Sequence, residues 1–346
     1  MEPARSRIGR RALRRAAPAF ELAEFEQRLR WKARGMQRRL ARGIVGQDRA
    51  IAAVVRAVER AASGLAAPGR PLANLLFLGR TGTGKTALAE ALARELFGPD
   101  PKALVRIDCG EYALPHEHAR LLGSPPGFVG HEDGGYLTRA LIENPARIVL
   151  FDEVEKAHPR LHGVLLSILD EGALTDGRGM RASFERSIVI LTSNAGAFEM
   201  SAAGRTLGFE RAPSLGPERL RSIAVEALER RFSPELLGRV DETVVFDEIG
   251  REGAERIARM QLQELAVRSR KAGLRVAFGP EIARWIAARG FSAEHGARGI
   301  VRTVRKEIEA LLAETIVGLS RERSRSGRGL ARARIADDRP VFDIET

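Results

Sequence analysis

From position 44 onward the chain alternates helical spacing with short, unbroken apolar runs. After Ile44-Val45-Gly46-Gln47-Asp48, the apolar positions Ile51, Val54, Val55 and Val58 recur three or four apart and predict an amphipathic helix. The Gly/Ala/Pro-rich stretch from Ala61 to Pro71 ends it. Five apolar runs follow: Leu75 to Leu78, Ala103 to Ile107, Ile148 to Phe151, Ile188 to Leu191 and Thr243 to Phe246. Runs this short, without alternation and with helical patterns between them, predict strands buried on both faces of one parallel α/β sheet of five strands with flanking helices. From Arg251 the pattern turns mainly helical, through Ile257, Met260, Leu262 and Leu265 and again from Ile300 to Leu319, while Leu330 to Ile335 and Val341 to Ile344 predict a closing hairpin. The expected division is a basic arm over 1–42, disordered or helical, a large α/β domain over 43–249 and a small, mainly helical domain over 250–346.

Charge changes this picture at one end only. The formal net charge is +12, and residues 1–42 hold 13 Lys and Arg against 4 Glu, so the body is nearly neutral. The arm therefore reads as a solvated Arg/Ala-rich tail, with a specific anion-binding arm as the alternative. Its arginine-rich start also resembles an organellar transit peptide, a reading that the glutamates from Glu21 oppose. No apolar run approaches the roughly 18 residues that a membrane helix needs, and the start lacks the apolar stretch of a secretory signal. The expected location is cytoplasmic. The single cysteine, Cys109, cannot form an internal disulfide and sits in a strand-like run, where a buried inert thiol is the usual outcome.

Candidate chemistry begins at Gly79-Arg80-Thr81-Gly82-Thr83-Gly84-Lys85-Thr86, a G-x-x-x-x-G-K-[ST] loop between a predicted strand and a helix starting near Ala87. Glycines let backbone N–H groups curl round phosphates, the helix N-terminus adds positive potential, Lys85 reaches the β- and γ-phosphates, and Thr86 ligates Mg²⁺. The candidate nucleotide contacts are Gly79, Thr81, Gly82, Thr83, Gly84, Lys85, Thr86 and Ala87. The run Ile148 to Phe151 ends in Asp152-Glu153, where Asp152 would hold Mg²⁺ or its water and Glu153 would polarise the attacking water. Asn194, ending Thr192-Ser193-Asn194, is a candidate to orient the same water. His116, His118, His131 and His158 have no cysteine partners and are not read as a metal site. Trp31 and Trp285 are read as packing residues rather than as a base-stacking pair.

These residues, together with Val45-Gly46-Gln47-Asp48, Arg106-Ile107-Asp108, Pro125-Pro126-Gly127-Phe128-Val129-Gly130, Phe151 to Pro159 and Leu169-Asp170-Glu171-Gly172, resemble the second ATPase module of ClpA, ClpB and ClpC, nearest in character to ClpC. The resemblance to this Clp branch of the AAA+ proteins covers Ile44 to about Leu319. It implies an ATP-hydrolysing P-loop AAA+ domain followed by the small Clp-type domain. It implies further that Ile44 and Val45 contact adenine, that Asn194 is sensor 1, that Arg239 is the arginine finger reaching a neighbouring subunit and that Arg298 is sensor 2. Phe128 and Val129 would line the pore, in a ring expected to be a hexamer. Leu207-Gly208-Phe209 resembles the tripeptide that docks into a ClpP-type peptidase. Departures are Arg80, where the family usually has proline, and Met180, where the second pore segment usually has a basic residue.

The function expected is ATP-dependent unfolding or remodelling of polypeptide, with ATP and Mg²⁺ as cofactors and unfolded or tagged polypeptide as substrate. The alternatives are a regulatory AAA+ remodeller of one partner and a nucleic-acid motor using the basic arm.

Overall fold

The computed structural model describes residues 24–65, 67–115, 117–123, 134–196, 199, 217–292, 296–318 and 330–345. Packing divides the chain into two units, one built from the residues up to Gly79 and from Lys85–Phe246, the other from Arg80–Gly84 and Asp247–Thr346.

The first unit is built on a five-stranded sheet in the order β2-β3-β6-β1-β7, from β1 (Ala73–Leu78), β2 (Leu104–Asp108), β3 (Ile148–Asp152), β6 (Ile188–Ser193) and β7 (Glu242–Val245). Every pairing is parallel. The expected class and all five expected strands are present. The three central strands are buried along their whole length, whereas the edge strand β2 alternates buried and exposed positions. Successive side chains enter opposite faces, as the pleat requires. Leu75, Phe77, Ile148, Leu150, Ile188 and Ile190 join Ile51, Val54, Val58, Leu88 and Leu92 on one side; Leu76, Leu78, Val149, Phe151, Val189 and Leu191 join Leu161, Leu165 and Ile168 on the other.

Part of the arm takes the helical one of its two expected forms, and one hairpin in this unit was not expected. Residues 24–33 and Met36–Gly43 are helical, and Phe25, Leu29, Ala33, Met36 and Leu40 are buried in the first of those clusters. This part of the basic stretch is core rather than solvated tail. Between β3 and β6 lies an unexpected hairpin, β4 (Ala173–Thr175) with β5 (Arg181–Ser183), whose turn is organised by Asp176: its Oδ1 accepts from Arg178 N and Met180 N, both at 2.9 Å. Met180 itself is exposed.

The helix Pro159–Glu171 begins with Pro at its first turn and His158 as cap, Nδ1 accepting from Arg160 N at 3.2 Å, so His158 has a structural role. Cys109 is buried, and burial, followed by the nearby carboxylates, pushes its thiol far above the ordinary range.

The second unit packs the helices Arg251–Lys271, Pro280–Gly290, Gly296–Thr303 and Ala310–Gly318 around Leu262, Leu265, Ile282, Ile286, Ile300, Ile308 and Leu312. The expected hairpin is β9 (Leu330–Ala336) with β10 (Arg339–Glu345), turning through Asp337 and Asp338, both with left-handed backbones as a two-residue hairpin turn requires. A third strand not foreseen, β8 (Arg275–Phe278), adds parallel to β9. Trp285 donates through Nε1 to Asp338 Oδ1 at 3.0 Å and stacks under Arg289, whereas Trp31 is 72% exposed and is not a packing residue. Among the described residues no helix is long and apolar enough to cross a membrane.

Candidate functional site

Parallel register brings the carboxyl ends of β1, β3 and β6 to one edge of the sheet, and the candidate residues follow those ends directly. Leu78 pairs with Ser193, so Gly79 and Asn194 emerge side by side, and Gly79 N donates to Ser193 O at 3.3 Å. Ile188 pairs with Ile148, which places Glu153 beyond the end of the adjacent strand. Ligands of open α/β sheets bind in the crevice outside such strand ends.

After Gly79 the loop needs backbone freedom that only glycine supplies cheaply: φ is 79° at Gly82 and 106° at Gly84. Thr83 Oγ1 donates to Arg80 O at 2.8 Å and closes the turn. The helix Lys85–Phe97 starts at once, with Thr86 half-buried and Ala87 exposed in its first turn. First-turn N–H groups have no partner inside a helix and attract an anion. Lys85 is buried, and its Nζ donates to Gly79 O at 2.5 Å and to Asn194 Oδ1 at 2.7 Å.

The carboxylate pair divides into one rigidly held group and one poised group. Asp152, buried at the end of β3, accepts from Thr192 Oγ1 on Oδ1 and from Arg106 Nη2 on Oδ2, both at 2.5 Å. Thr192 Oγ1 also accepts from Glu153 N at 2.9 Å, so one hydroxyl sets both residues of the pair. Glu153 has a left-handed backbone, φ 58°, uncommon for a residue with a side chain. Its Oε1 accepts from Asn194 Nδ2 at 3.0 Å and its Oε2 pairs with Lys156 Nζ. Asn194 N in turn donates to Glu155 Oε1 at 2.9 Å. Burial pushes the Glu153 carboxyl up, but the hydrogen bond and charge of Lys156, together with Asn194, outweigh it and hold the group below its ordinary value; the same contact raises Lys156.

The structure thus joins Lys85, Asn194, Glu153 and Lys156 in one chain of contacts, with Asp152 fastened beside it. Thr192, Arg106 and Lys156 belong to motifs legible in the sequence, but their partners are set by strand register and by the turn after β3. The donors nominated for Mg²⁺, the Thr86 hydroxyl and the Asp152 carboxylate, are all oxygen, which suits that hard cation. Ile44 and Val45 are both buried, Ile44 in the cluster that holds Leu88. Arg239 pairs with Asp170, Nη1 to Oδ1 at 2.8 Å. Arg298 is exposed on Gly296–Thr303 of the second unit. Phe128, Val129 and Leu207-Gly208-Phe209 lie outside the described residues.

Residues 70–243 match the family model described as AAA domain (Cdc48 subfamily), and residues 249–325 match the C-terminal, D2-small domain, of ClpB protein. The chain is 41% identical over 283 residues to the chaperone protein ClpB of Agrobacterium fabrum, covering 82% of this chain and 31% of that protein. It is 42% identical over 284 residues to ClpB of Helicobacter hepaticus, covering 82% and 32%. A third relative, the ATP-dependent Clp protease ATP-binding subunit ClpA homolog of Pyropia yezoensis, is 38% identical over 303 residues, covering 87% and 36%. The chain therefore spans about a third of the length of the curated relatives it matches.

Proposed function

Because the chain belongs to the Clp branch of the AAA+ ATPases, we propose that it hydrolyses ATP in an oligomeric ring, expected to be a hexamer, and uses the energy to remodel polypeptide. The observation that carries this reading is the contact chain Lys85–Asn194–Glu153 at the adjoining ends of β1, β6 and β3. It links a phosphate-binding cation to the carboxylate that would polarise water, which is the spatial relation phosphoryl transfer requires.

In the proposed mechanism the loop N–H groups and Lys85 hold the β- and γ-phosphates. Ile44 and Val45 meet the adenine, and Arg298 is assigned the role of sensor 2. Thr86 and Asp152 would hold Mg²⁺, which would supply charge neutralisation when bound. Glu153 accepts the hydrogen bond of the attacking water, and Asn194 keeps carboxylate and Lys85 in register. Arg239 of one subunit stabilises transition-state charge at its neighbour's nucleotide, so turnover depends on assembly. Phe128 and Val129 would grip the moving chain by sequence-tolerant apolar contact.

Remodelling of polypeptide is favoured by the relatives named as chaperones. A second reading, delivery of substrate to a ClpP-type peptidase through Leu207-Gly208-Phe209, is favoured by the relative named as a protease ATP-binding subunit. Steady-state ATPase measured with unfolded protein or with DNA tests the main proposal. Stimulation by unfolded polypeptide is expected; stimulation by DNA alone would replace it with the nucleic-acid motor. Adding a cognate ClpP peptidase and a folded substrate tests the second reading, which fails if no degradation occurs.

A further inference from the structure

Asn74 sits in the second position of β1, 1% exposed, a polar side chain in a strand otherwise made of Ala, Leu and Phe. A buried amide is retained where its hydrogen bonds set a position. Asn74 Nδ2 donates to two carbonyls, Leu169 O at 3.0 Å and Arg239 O at 3.1 Å. Arg70 makes the same pair of contacts from the other side, Nε to Leu169 O and Nη2 to Arg239 O, each at 3.3 Å. The backbone completes the attachment: Asn74 N donates to Asp241 Oδ2 at 2.7 Å, and Asp241 N donates to Asn74 O at 2.8 Å.

The two bridged carbonyls lie in the last turn of one helix and just past the end of another. Leu169 lies in the last turn of Pro159–Glu171, where carbonyls have no intrahelical partner, and Arg239 follows the short helix Pro234–Leu237. Asn74 Oδ1 is buried without a hydrogen-bond partner, so the amide serves here wholly as a donor. Reversing it would set oxygen against two carbonyl oxygens. The side chain next to each carbonyl belongs to one pair: Asp170 follows Leu169 and holds the guanidinium of Arg239.

We propose that Asn74, assisted by Arg70, is a positioning residue for Arg239: it ties the peptide that carries this arginine to the end of Pro159–Glu171 and so aims the guanidinium at a neighbouring subunit. This rests on the reading of Arg239 as the residue that acts in trans. Asn74 touches no nucleotide in this scheme and acts only through Arg239.

The test is a double-mutant cycle on the full chain, at concentrations where light scattering shows assembly, with ATPase measured against ATP concentration and thermal melting measured in parallel. Arg239→Ala should lower kcat on the order of 10³-fold. Asn74→Leu, which keeps the branched shape and removes both donors, should lower kcat about 10- to 100-fold with KM changed less than about twofold, because the phosphate loop is untouched. Combined with Arg239→Ala it should cause no further loss. Arg70→Met, at a half-buried site, should give a smaller loss of the same non-additive kind and serves if Asn74→Leu fails to fold. The proposal is overturned if these variants lower kcat equally in the Arg239→Ala background, or if they lower the melting temperature and leave kcat unchanged. If Arg239→Ala itself leaves kcat intact in assembled protein, the trans reading fails, and the positioning role fails with it.

Discussion

Asn194 Nδ2 lies 3.0 Å from Glu153 Oε1, and the Oδ1 of the same amide accepts from Lys85. One short side chain thereby spans the candidate phosphate-binding cation and the candidate base, each facing the end of the amide whose polarity suits it. An amide does this without adding charge between a cation and an anion. Aspartate in its place would repel Glu153, and leucine would leave both groups without this contact.

Glu153→Gln is expected to retain ATP binding, because the phosphate loop and Lys85 are unchanged, and to lower turnover about 10²- to 10⁴-fold through loss of the accepting carboxylate. Fluorescent-nucleotide titration alongside phosphate release checks both halves. Lys85→Ala should lose binding itself. A Gln variant that turns over at the wild-type rate would remove Glu153 from the mechanism.

Asn194→Ala is expected to lower kcat about 10- to 100-fold with a smaller effect on nucleotide affinity, since it loosens the orientation of Glu153 while the cradle stays built. Asn194→Asp should be worse than alanine, because it sets a second carboxylate against Glu153 Oε1 and disfavours the ionised base. If alanine and aspartate are equal and near wild type, the bridge has no catalytic consequence.

The sheet was legible because β1, β3 and β6 are buried on both faces and therefore read as unbroken apolar runs, each bounded by polar residues or glycine. The phosphate loop was legible because its backbone demands glycine at fixed spacing. The helices over 24–43 were legible only as one of two alternatives for the arm, and their burial not at all, because Phe25, Leu29, Met36 and Leu40 are set among so many arginines that composition hides their three- and four-residue spacing. The strands β4, β5 and β8 are three or four residues long, too short for a periodicity to stand out. Pairings such as Arg106 with Asp152 depend on which strands become neighbours, and a single sequence does not carry that register.

Met36 tests whether residues 24–43 belong to the core. Its side chain is fully buried in the cluster that holds Leu40 and Ile51, so Met36→Ala should destabilise the chain by about 2–5 kcal/mol through lost burial and a residual cavity. A position on a solvated arm would change stability by no more than about 0.5 kcal/mol. Denaturant unfolding of the two proteins decides between these values.

The pairing of Lys156 with Glu153 predicts a pH signature. A general base works in its ionised form, so activity should fall as pH drops through the pKa of Glu153. Lys156 and Asn194 hold that pKa below the ordinary carboxylate value, against the upward push of burial, so the acid limb of the wild-type profile should lie at low pH. Lys156→Met removes the largest opposing contribution and leaves burial in place. The pKa of Glu153 then rises, and the acid limb of kcat/KM should move to higher pH while the plateau is retained. Lys156 is about half exposed, so its influence is screened by salt. Raising ionic strength should accordingly shift the wild-type limb in the same direction and leave the Lys156→Met limb nearly still. Asn194→Ala should also shift the limb upward, but less, because a neutral donor contributes less than a donor carrying charge. Profiles of wild type and Lys156→Met that superimpose at low salt would show that Glu153 is not the base that titrates.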